Sequence, residues 1–350
     1  MDDCVIMKST KTIRILEKDN IHIYRYLKDN MSDFEGATIL ITGSKGFLGR
    51  TIISFFNFLN SSKLEKEDSI NIIAIDYDDY DICNPLDKFV KTDTVDYIIN
   101  CAGIASPKKY LKKPIETLDV SYLGTKNIFE LAKIKNTKSI LMFSSSEVYG
   151  TPDENNIPTS EDYNGSVTTF GNRSCYDIGK NVLETLCYVY YHKYRTPVNV
   201  VRPFNLYGPL MNADDGRIIP NICKSMIGKE DFSIYGNGKQ TRTYCYVADA
   251  VAFMLKVLLL NKFGEIYNVG SEEQELSATE VAHQAYELIS PVGSTYSVTP
   301  HPIDYPDNEP QRRKPDISKI KEATGYTPKY KFDEGFTSCY NVFIDTLGPA

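Results

Sequence analysis

Three glycines spaced three residues apart, Gly43, Gly46 and Gly49 in ITGSKGFLGR, follow a short apolar run (TILIT, 38–42) and open a segment with helical spacing (FLGRTIISFFNFL, 47–59). Few backbone paths satisfy that pattern. A strand must stop, the chain must turn in little space, and a helix must start against the strand it has just left. The first glycine permits the tight turn, the second lets a ligand approach the backbone, and the third lets helix and strand pack closely. The first amides of the helix then point at whatever rests on the turn, and an anion such as a dinucleotide pyrophosphate suits them.

The apolar runs recur. NIIAID (71–76) ends in Asp76, VDYIINCAG (95–103) is a third run, SILMFSSSEVYG (139–150) a fourth and VNVVRPFNLYG (198–208) a fifth, with helical spacing over 114–135 and 175–194. Strands apolar throughout and separated by helices predict a parallel sheet covered on both faces, a doubly wound α/β fold of Rossmann type. Ligands of such sheets sit beyond the C-terminal strand ends, which is where polar and aromatic residues gather here. After Gly208 the alternation loosens into glycine- and proline-punctuated pieces. Residues 37–208 are therefore expected to form the dinucleotide-binding domain, and 209–350 mainly a smaller substrate-binding lobe with segments returning to the sheet. Residues 1–36, carrying Ile13, Leu16, Ile21, Ile23, Tyr24 and Leu27, read as a prefix with helical character, either packed on the body or on a partner subunit, or left as a partly ordered tail. The polar SSKLEKED (61–68) reads as a solvated loop.

Composition narrows the function classes. With 42% hydrophobic and 24% charged residues, a chain of 350 residues can bury a sizeable core. A net charge of −7, with both signs mixed along the chain, argues against a nucleic-acid binder. The most apolar stretch, VAFMLKVLLL (251–260), is short and contains Lys256, so no membrane span is expected. The eight cysteines are scattered with no C-x-x-C pair and no neighbouring His cluster, which reads as reduced thiols of a cytoplasmic protein without a bound metal.

Two groups of residues carry chemistry. Asp76 closes the second strand, where a carboxylate accepts hydrogen bonds from an adenosine ribose and repels a 2′-phosphate, favouring NAD over NADP. In SCYDIGK, Tyr176 and Lys180 stand four apart on one helical face. A tyrosine is a poor base at its ordinary pKa of about 10, but a neighbouring ammonium and a cationic nicotinamide favour the phenolate, which then takes a hydroxyl proton. The serines of FSSSEVYG end the fourth strand, placed to bond the phenol and a substrate oxygen, although such serines also cap strands and turns.

Taken together, the glycine pattern, Asp76, DICNP, NCAG, SSSEVYG, YDIGK, RPFNLYGP and RRKPD resemble the extended short-chain dehydrogenase/reductase family of nucleotide-sugar epimerases, dehydratases and decarboxylases, over roughly residues 37 to 345. The resemblance implies Tyr176 as catalytic base, Lys180 as holder of the nicotinamide ribose, and Ser145 as hydroxyl partner. It implies that Asp81 and Ile82 flank the adenine. Phe47 and Leu48 in the glycine turn, Ala102 after the third strand and Pro203 at the end of the fifth complete the implied cofactor contacts.

The branch within the family turns on Ser146 and Glu147. Dehydratases of the family carry Thr-Asp-Glu where this chain has Ser145-Ser146-Glu147, and the acid that expels water is missing. Ser146-Glu147 resembles the Ser-Glu of UDP-glucuronate decarboxylases, and ASPKKYLKKPIETL, NADDGRIIPNI and GKQTRTYCYV resemble that subfamily as well. Ser145 in place of Thr, and lysines in PKKY, depart from its pattern. The resemblance implies Glu147 and Ser146 in the reaction, and Ser106, Asn205, Arg217, Tyr235, Arg242 and Arg312 about the diphosphate, uridine and sugar carboxylate. It implies NAD as cofactor, a UDP-sugar as substrate, and a homodimer joined through helices near 114–135 and 175–194. A 4-epimerase, a 4,6-dehydratase using another acid, and more distantly a non-catalytic NAD-binding scaffold remain the alternatives.

Overall fold

The computed structural model describes residues 9–300 and 311–348. Strands β1 (Thr38–Thr42), β2 (Asn71–Ile75), β3 (Tyr97–Asn100), β4 (Ser139–Phe143) and β5 (Val198–Pro203) are joined by a later strand, Ile266–Val269. They form one sheet in the order Ile266–Val269, β5, β4, β3, β1, β2, with every pairing parallel. From β1 the chain runs outward to β2 and then returns to the other side of β1 as β3. The reversal opens a crevice at the C-terminal ends of β1 and β3, the position where such sheets take their ligands.

Alternation along the strands explains why they are apolar throughout. Ile39, Ile41, Ile99 and Leu141 face one core, while Leu40, Ile98, Ile140 and Met142 face the other. Helix α1 (Thr10–Leu27) belongs to the prefix and α2 (Phe47–Ser62) follows the glycine turn. The first core lies under α2 and the helix Val247–Leu258, whose apolar residues are almost wholly buried. Two short helices, α3 (Pro107–Tyr110) and α4 (Pro114–Asp119), lead through a π turn at Val120–Gly124 into α5 (Thr125–Lys135), and α6 (Ser174–Tyr194) follows β4. α5 and α6 cover the second core with Ile128, Phe129, Leu183 and Cys187. The helical stretch expected over 114–135 is present as one run from Pro114 to Lys135 with the π turn inside it. The π turn is closely packed: a Cβ at Gly124 would lie 2.7 Å from Ile82, and one at Gly179 of α6 would lie 2.9 Å from Ser121.

The prefix packs on the body. Ser9 caps α1 by accepting the Thr12 amide at 3.2 Å, and Ile23, Leu27 and Phe34 join the first core. Asp19 accepts from Tyr246 at 2.8 Å, and His22 meets Asp249 at 2.8 Å. Residues 1–8, including Cys4, lie outside the described residues, and the seven other cysteines are free thiols. The 61–68 segment is the end of α2 and a single 3-10 turn at Lys66–Asp68.

Beyond β5 a three-stranded sheet, Glu275–Ser277, Thr241–Thr243 and Arg312–Arg313, stands over the crevice, with Arg313 paired in register to Arg242. Among the described residues no helix is long and apolar enough to cross a membrane, and no group of three His, Cys, Asp or Glu side chains could hold a metal ion.

Candidate active site

The glycine turn is a cradle without room for side chains. Gly43 has a φ of +65°, and a Cβ there would lie 2.8 Å from the Ala102 nitrogen and the Cys101 backbone at the exit of β3. A Cβ on Gly49 would come within 2.2 Å of the Gly43 carbonyl, so the start of α2 is pressed onto the turn. Gly46 stands before α2 and donates its amide to the Gly43 carbonyl at 3.0 Å. The half-buried Phe47 and Leu48 begin that helix. A dinucleotide fits this arrangement, with its pyrophosphate on the open amides and dipole of a sixteen-residue helix.

Asp76 ties the second strand to the turn, accepting the Lys45 amide and its neighbour Tyr77's amide, each at 2.8 Å. Asp81 accepts the Cys83 amide at 2.9 Å, and the buried Ile82 is held through its carbonyl by Asn127 at 2.9 Å. Pro203 ends β5, half-buried, across the crevice.

Tyr176 and Lys180 arrive from α6 and are both buried. Ser145 follows β4, accepts the Glu147 amide at 3.2 Å, and hydrogen-bonds the Tyr176 phenol. The Lys180 ammonium donates to the Phe143 carbonyl at 2.7 Å and lies 5.8 Å from the Tyr176 ring centroid. A Cβ on Gly103 would stand 3.3 Å from it, which leaves the amine between the ends of β3 and β4. Burial lowers Lys180 to about 8. Among the protein's own groups burial also dominates at Tyr176 and pushes its phenol up, with Ser145 pulling the other way. Desolvation thus sets the direction at this phenol, and the groups that pull it down are Ser145 and Arg217 rather than the expected Lys180.

Glu147 is the centre of a second cluster. Arg173 Nη2 reaches its Oε2 at 2.5 Å, and Arg313 holds both carboxylate oxygens, one at 3.1 Å. Burial alone would raise this acid, but Arg313, Arg173 and the more distant charge of Arg242 hold it down at about 2. Asp177 adjoins the cluster and is lifted to about 6 by burial and by Glu147, its Oδ1 buried without a hydrogen-bond partner. Tyr110 stacks on Tyr176 at 5.3 Å between ring centroids, and its buried hydroxyl has no hydrogen-bond partner. Ser146 is buried beside Glu147.

The remaining sequence-predicted residues fall in several places. Ser106 donates to the Asp215 carbonyl at 3.3 Å, and Arg217 pairs with the Asp215 carboxylate at 3.2 Å, so both flank one loop. Arg217 is close enough for its charge to act on Tyr176. Asn205 carries a buried side-chain nitrogen with no hydrogen-bond partner. Arg242 is buried and donates to the Thr241 carbonyl at 2.9 Å. Tyr235 is exposed at the end of its strand. Arg312 does not join the cluster. Its guanidinium pairs with Glu275 at 2.6 Å and Glu154 at 2.7 Å, and Arg313, pointing to the opposite face of the strand, is the one that enters. Sequence reasoning missed Arg313, Arg173 and Tyr110. The Arg312-Arg313 doublet was the available signal for the first, and the position of Arg173 three residues before Tyr176 for the second.

The arrangement brings a buried tyrosine, hydrogen-bonded to Ser145, together with a tight glycine turn at the strand ends and a patch of arginines around one carboxylate. Residues 39–270 match the profile of the NAD dependent epimerase/dehydratase family. UDP-glucuronic acid decarboxylase 6 of Arabidopsis thaliana is 36% identical over 322 residues, 89% of this chain and 90% of that protein. UDP-glucuronic acid decarboxylase 1 of Xenopus tropicalis is 33% identical over 356 aligned positions, 98% of this chain and 80% of that protein. Among solved structures, the epimerase Mth375 of Methanothermobacter thermautotrophicus superposes with a TM-score of 0.77 at 22% identity, covering 93% of this chain and 97% of its own. UDP-glucuronic acid 4-epimerase of Bacillus cereus, in complex with UDP-glucuronic acid and NAD, superposes with a TM-score of 0.70 at 22% identity, covering 87% and 98%. With a profile match that runs from β1 through the last strand of the sheet, and full-length relatives a third identical, this chain belongs to the NAD dependent epimerase/dehydratase family.

Proposed function

We propose that this protein is a NAD-dependent decarboxylase of UDP-glucuronate, yielding UDP-xylose or its 4-keto form. The observation that carries the reading is Ser146-Glu147 set beside Tyr176 and ringed by Arg173, Arg313 and Arg242. A sugar carboxylate needs cationic partners, and a dehydratase needs an acid where this chain has Ser146.

The residues divide the work as follows. Gly43, Gly46 and the start of α2 would hold the dinucleotide's diphosphate, Asp76 its adenosine ribose and Lys180 its nicotinamide ribose. NAD, when bound, supplies the acceptor and then the donor of the C4 hydride. Tyr176, as the phenolate that a bound nicotinamide cation would favour against burial, takes the C4 hydroxyl proton while Ser145 holds the oxygen, so that a 4-keto sugar forms with its carboxylate β to the ketone. A β-keto acid of this kind loses CO2, and Ser145 and Tyr176 stabilise the enolate oxygen as hydrogen-bond donors. A proton from solvent adds at C5 to give the 4-keto pentose, and Tyr176 returns the proton it took to O4 when C4 is reduced. The arginines offset the charge that Glu147 would otherwise turn against the substrate carboxylate.

The assembly we propose is a cytoplasmic homodimer. Ile115, Leu118, Tyr122 and Leu123 on α4 and the π turn, and Tyr188 and Val189 on α6, are large apolar side chains exposed on adjacent helices, which supports a helix-to-helix subunit contact. The free thiols support a reducing compartment.

Mass spectrometry of the nucleotide sugar after incubation with NAD+ and UDP-glucuronate tests the reaction. A product lighter by CO2 is expected, as a pentose or a 4-keto pentose. Unchanged mass with a chromatographically distinct C4 epimer would replace the decarboxylase reading with an epimerase one.

A further inference from the structure

The segment after the second strand reads Asp76-Tyr77-Asp78-Asp79, and opposite it the glycine turn carries a lysine, Lys45. The Lys45 amide donates to Asp76 at 2.8 Å, so this residue adjoins the carboxylate that would face the adenosine ribose of a bound dinucleotide. Its ammonium is 3.2 Å from Asp79 and 3.7 Å from Asp78. Asp79 is itself fixed. Its second oxygen accepts the Asp76 amide at 3.2 Å, and its own amide donates to the Asp76 carbonyl at 2.9 Å. The 76–79 turn thus presents a carboxylate from which the Lys45 side chain is tethered. The other cation on this side, Lys113, lies 5.4 Å from the Tyr77 ring centroid.

We propose that Lys45 is a latent receptor for a 2′-phosphate, and that Asp78 and Asp79 hold it out of that role, so that this ribose site selects NAD+ through an ion pair as well as through Asp76. A primary ammonium is a good phosphate receptor when it is not already neutralised. Here two carboxylates, Asp78 and Asp79, pair with one ammonium while a third, Asp76, holds the backbone amide of the same residue, and a dianionic phosphate meets net repulsion. An exposed pair of this kind adds little to stability, and its consequence lies in the choice of ligand. Removing Asp78 and Asp79 leaves Lys45 against Asp76 alone, with the ammonium free to turn to the ribose.

The inference rests on the dinucleotide reading of the glycine turn and not on the decarboxylase reading. Titration calorimetry of the full-length chain with NAD+ and with NADP+, without any sugar nucleotide, keeps the two apart. The Asp78→Ala/Asp79→Ala variant is expected to bind NADP+ about tenfold or more tightly than wild type, the scale of one added charged contact, with NAD+ affinity within about threefold. Asp79→Asn, which keeps the turn's shape, is expected to move in the same direction by a smaller factor. Adding Lys45→Ala to either variant is expected to return NADP+ affinity to the wild-type value. Unchanged NADP+ affinity in both acidic variants, or a gain that survives Lys45→Ala, overturns the proposal. Wild type that binds NAD+ but releases no CO2 overturns the decarboxylase reading alone, and wild type that binds neither dinucleotide overturns both.

Discussion

Burial acts on Tyr176, Lys180 and Glu147 alike, and their partners decide what each becomes. At Tyr176 burial and the Ser145 hydrogen bond oppose each other, and at Glu147 two guanidinium groups overcome burial. Tyr176→Phe is expected to keep the fold and cut turnover by about 10²–10⁴-fold, the usual share of a positioned proton-transfer group; product chromatography beside circular dichroism checks it. Lys180, lowered to about 8, carries its charge below that pH and loses it above. Turnover that needs the ammonium therefore falls as pH rises through about 8, and a rate–pH profile shows that limb. Arg313→Ala leaves Glu147 with Arg173, and an activity loss of about a hundredfold is expected together with destabilisation of about 2 kcal/mol, read from turnover and from urea unfolding. The folded Glu147 is depressed from 4.5 to about 2, so its ion pairs add stability above pH 4.5 and lose it as the pH falls from 4.5 towards 2. That acid-side loss should shrink in Arg313→Ala. Gly43, Asp76, Tyr176 and Lys180 were legible in the sequence because each answers a local demand: a turn with positive φ, a strand end, one face of one helix. Arg313 was not, because the inward member of an arginine doublet depends on which face a two-residue strand turns to the cluster.

Among the elements, α1 is the one whose docking the sequence left open. Its pattern of Ile13, Leu16, Ile23 and Leu27 is compatible with several partners, and the buried polar contacts of Asp19 and His22 that help fix it come from residues more than two hundred positions away. Asp19 is buried between Tyr246 and Tyr330 and is raised by burial from 3.8 to about 7, so the native protein holds a proton there that the unfolded chain has released. Its contribution to stability is accordingly full below pH 3.8 and declines as pH rises from 3.8 to about 7. Asp19→Asn should flatten the dependence of melting temperature on pH across that window, and an unaltered slope would place the effect elsewhere. The parallel strands were legible for the opposite reason: burial on both faces leaves an apolar run whichever neighbour a strand has. The π turn at Val120–Gly124 was not, and it is packed against Ile82 and α6, which come from distant stretches of the chain.

For the molecule as a whole, the sheet places the dinucleotide cradle, the Tyr176–Lys180 pair and the Glu147–arginine cluster around one crevice, each supplied by a different stretch of chain. The long-range part of that assembly, Arg313 and Arg242 brought in on a separate small sheet, lies beyond what periodicity can show. The exposed apolar residues of α4, the π turn and α6 belong to this scale too. Ile115→Glu combined with Tyr188→Glu should convert a dimer to a monomer in sedimentation, and a wild type that sediments as a monomer would remove the subunit contact from the account. The chemistry proposed for the crevice is oxidation of C4 followed by removal of the sugar carboxylate. The most direct measurement is release of labelled CO2 from UDP-glucuronate carrying the isotope in its carboxylate, with wild type beside Tyr176→Phe. Label is expected in CO2 from the wild type, with a loss of about 10²–10⁴-fold in the variant; label that stays in the sugar nucleotide, or leaves equally fast without the Tyr176 hydroxyl, would overturn this chemistry.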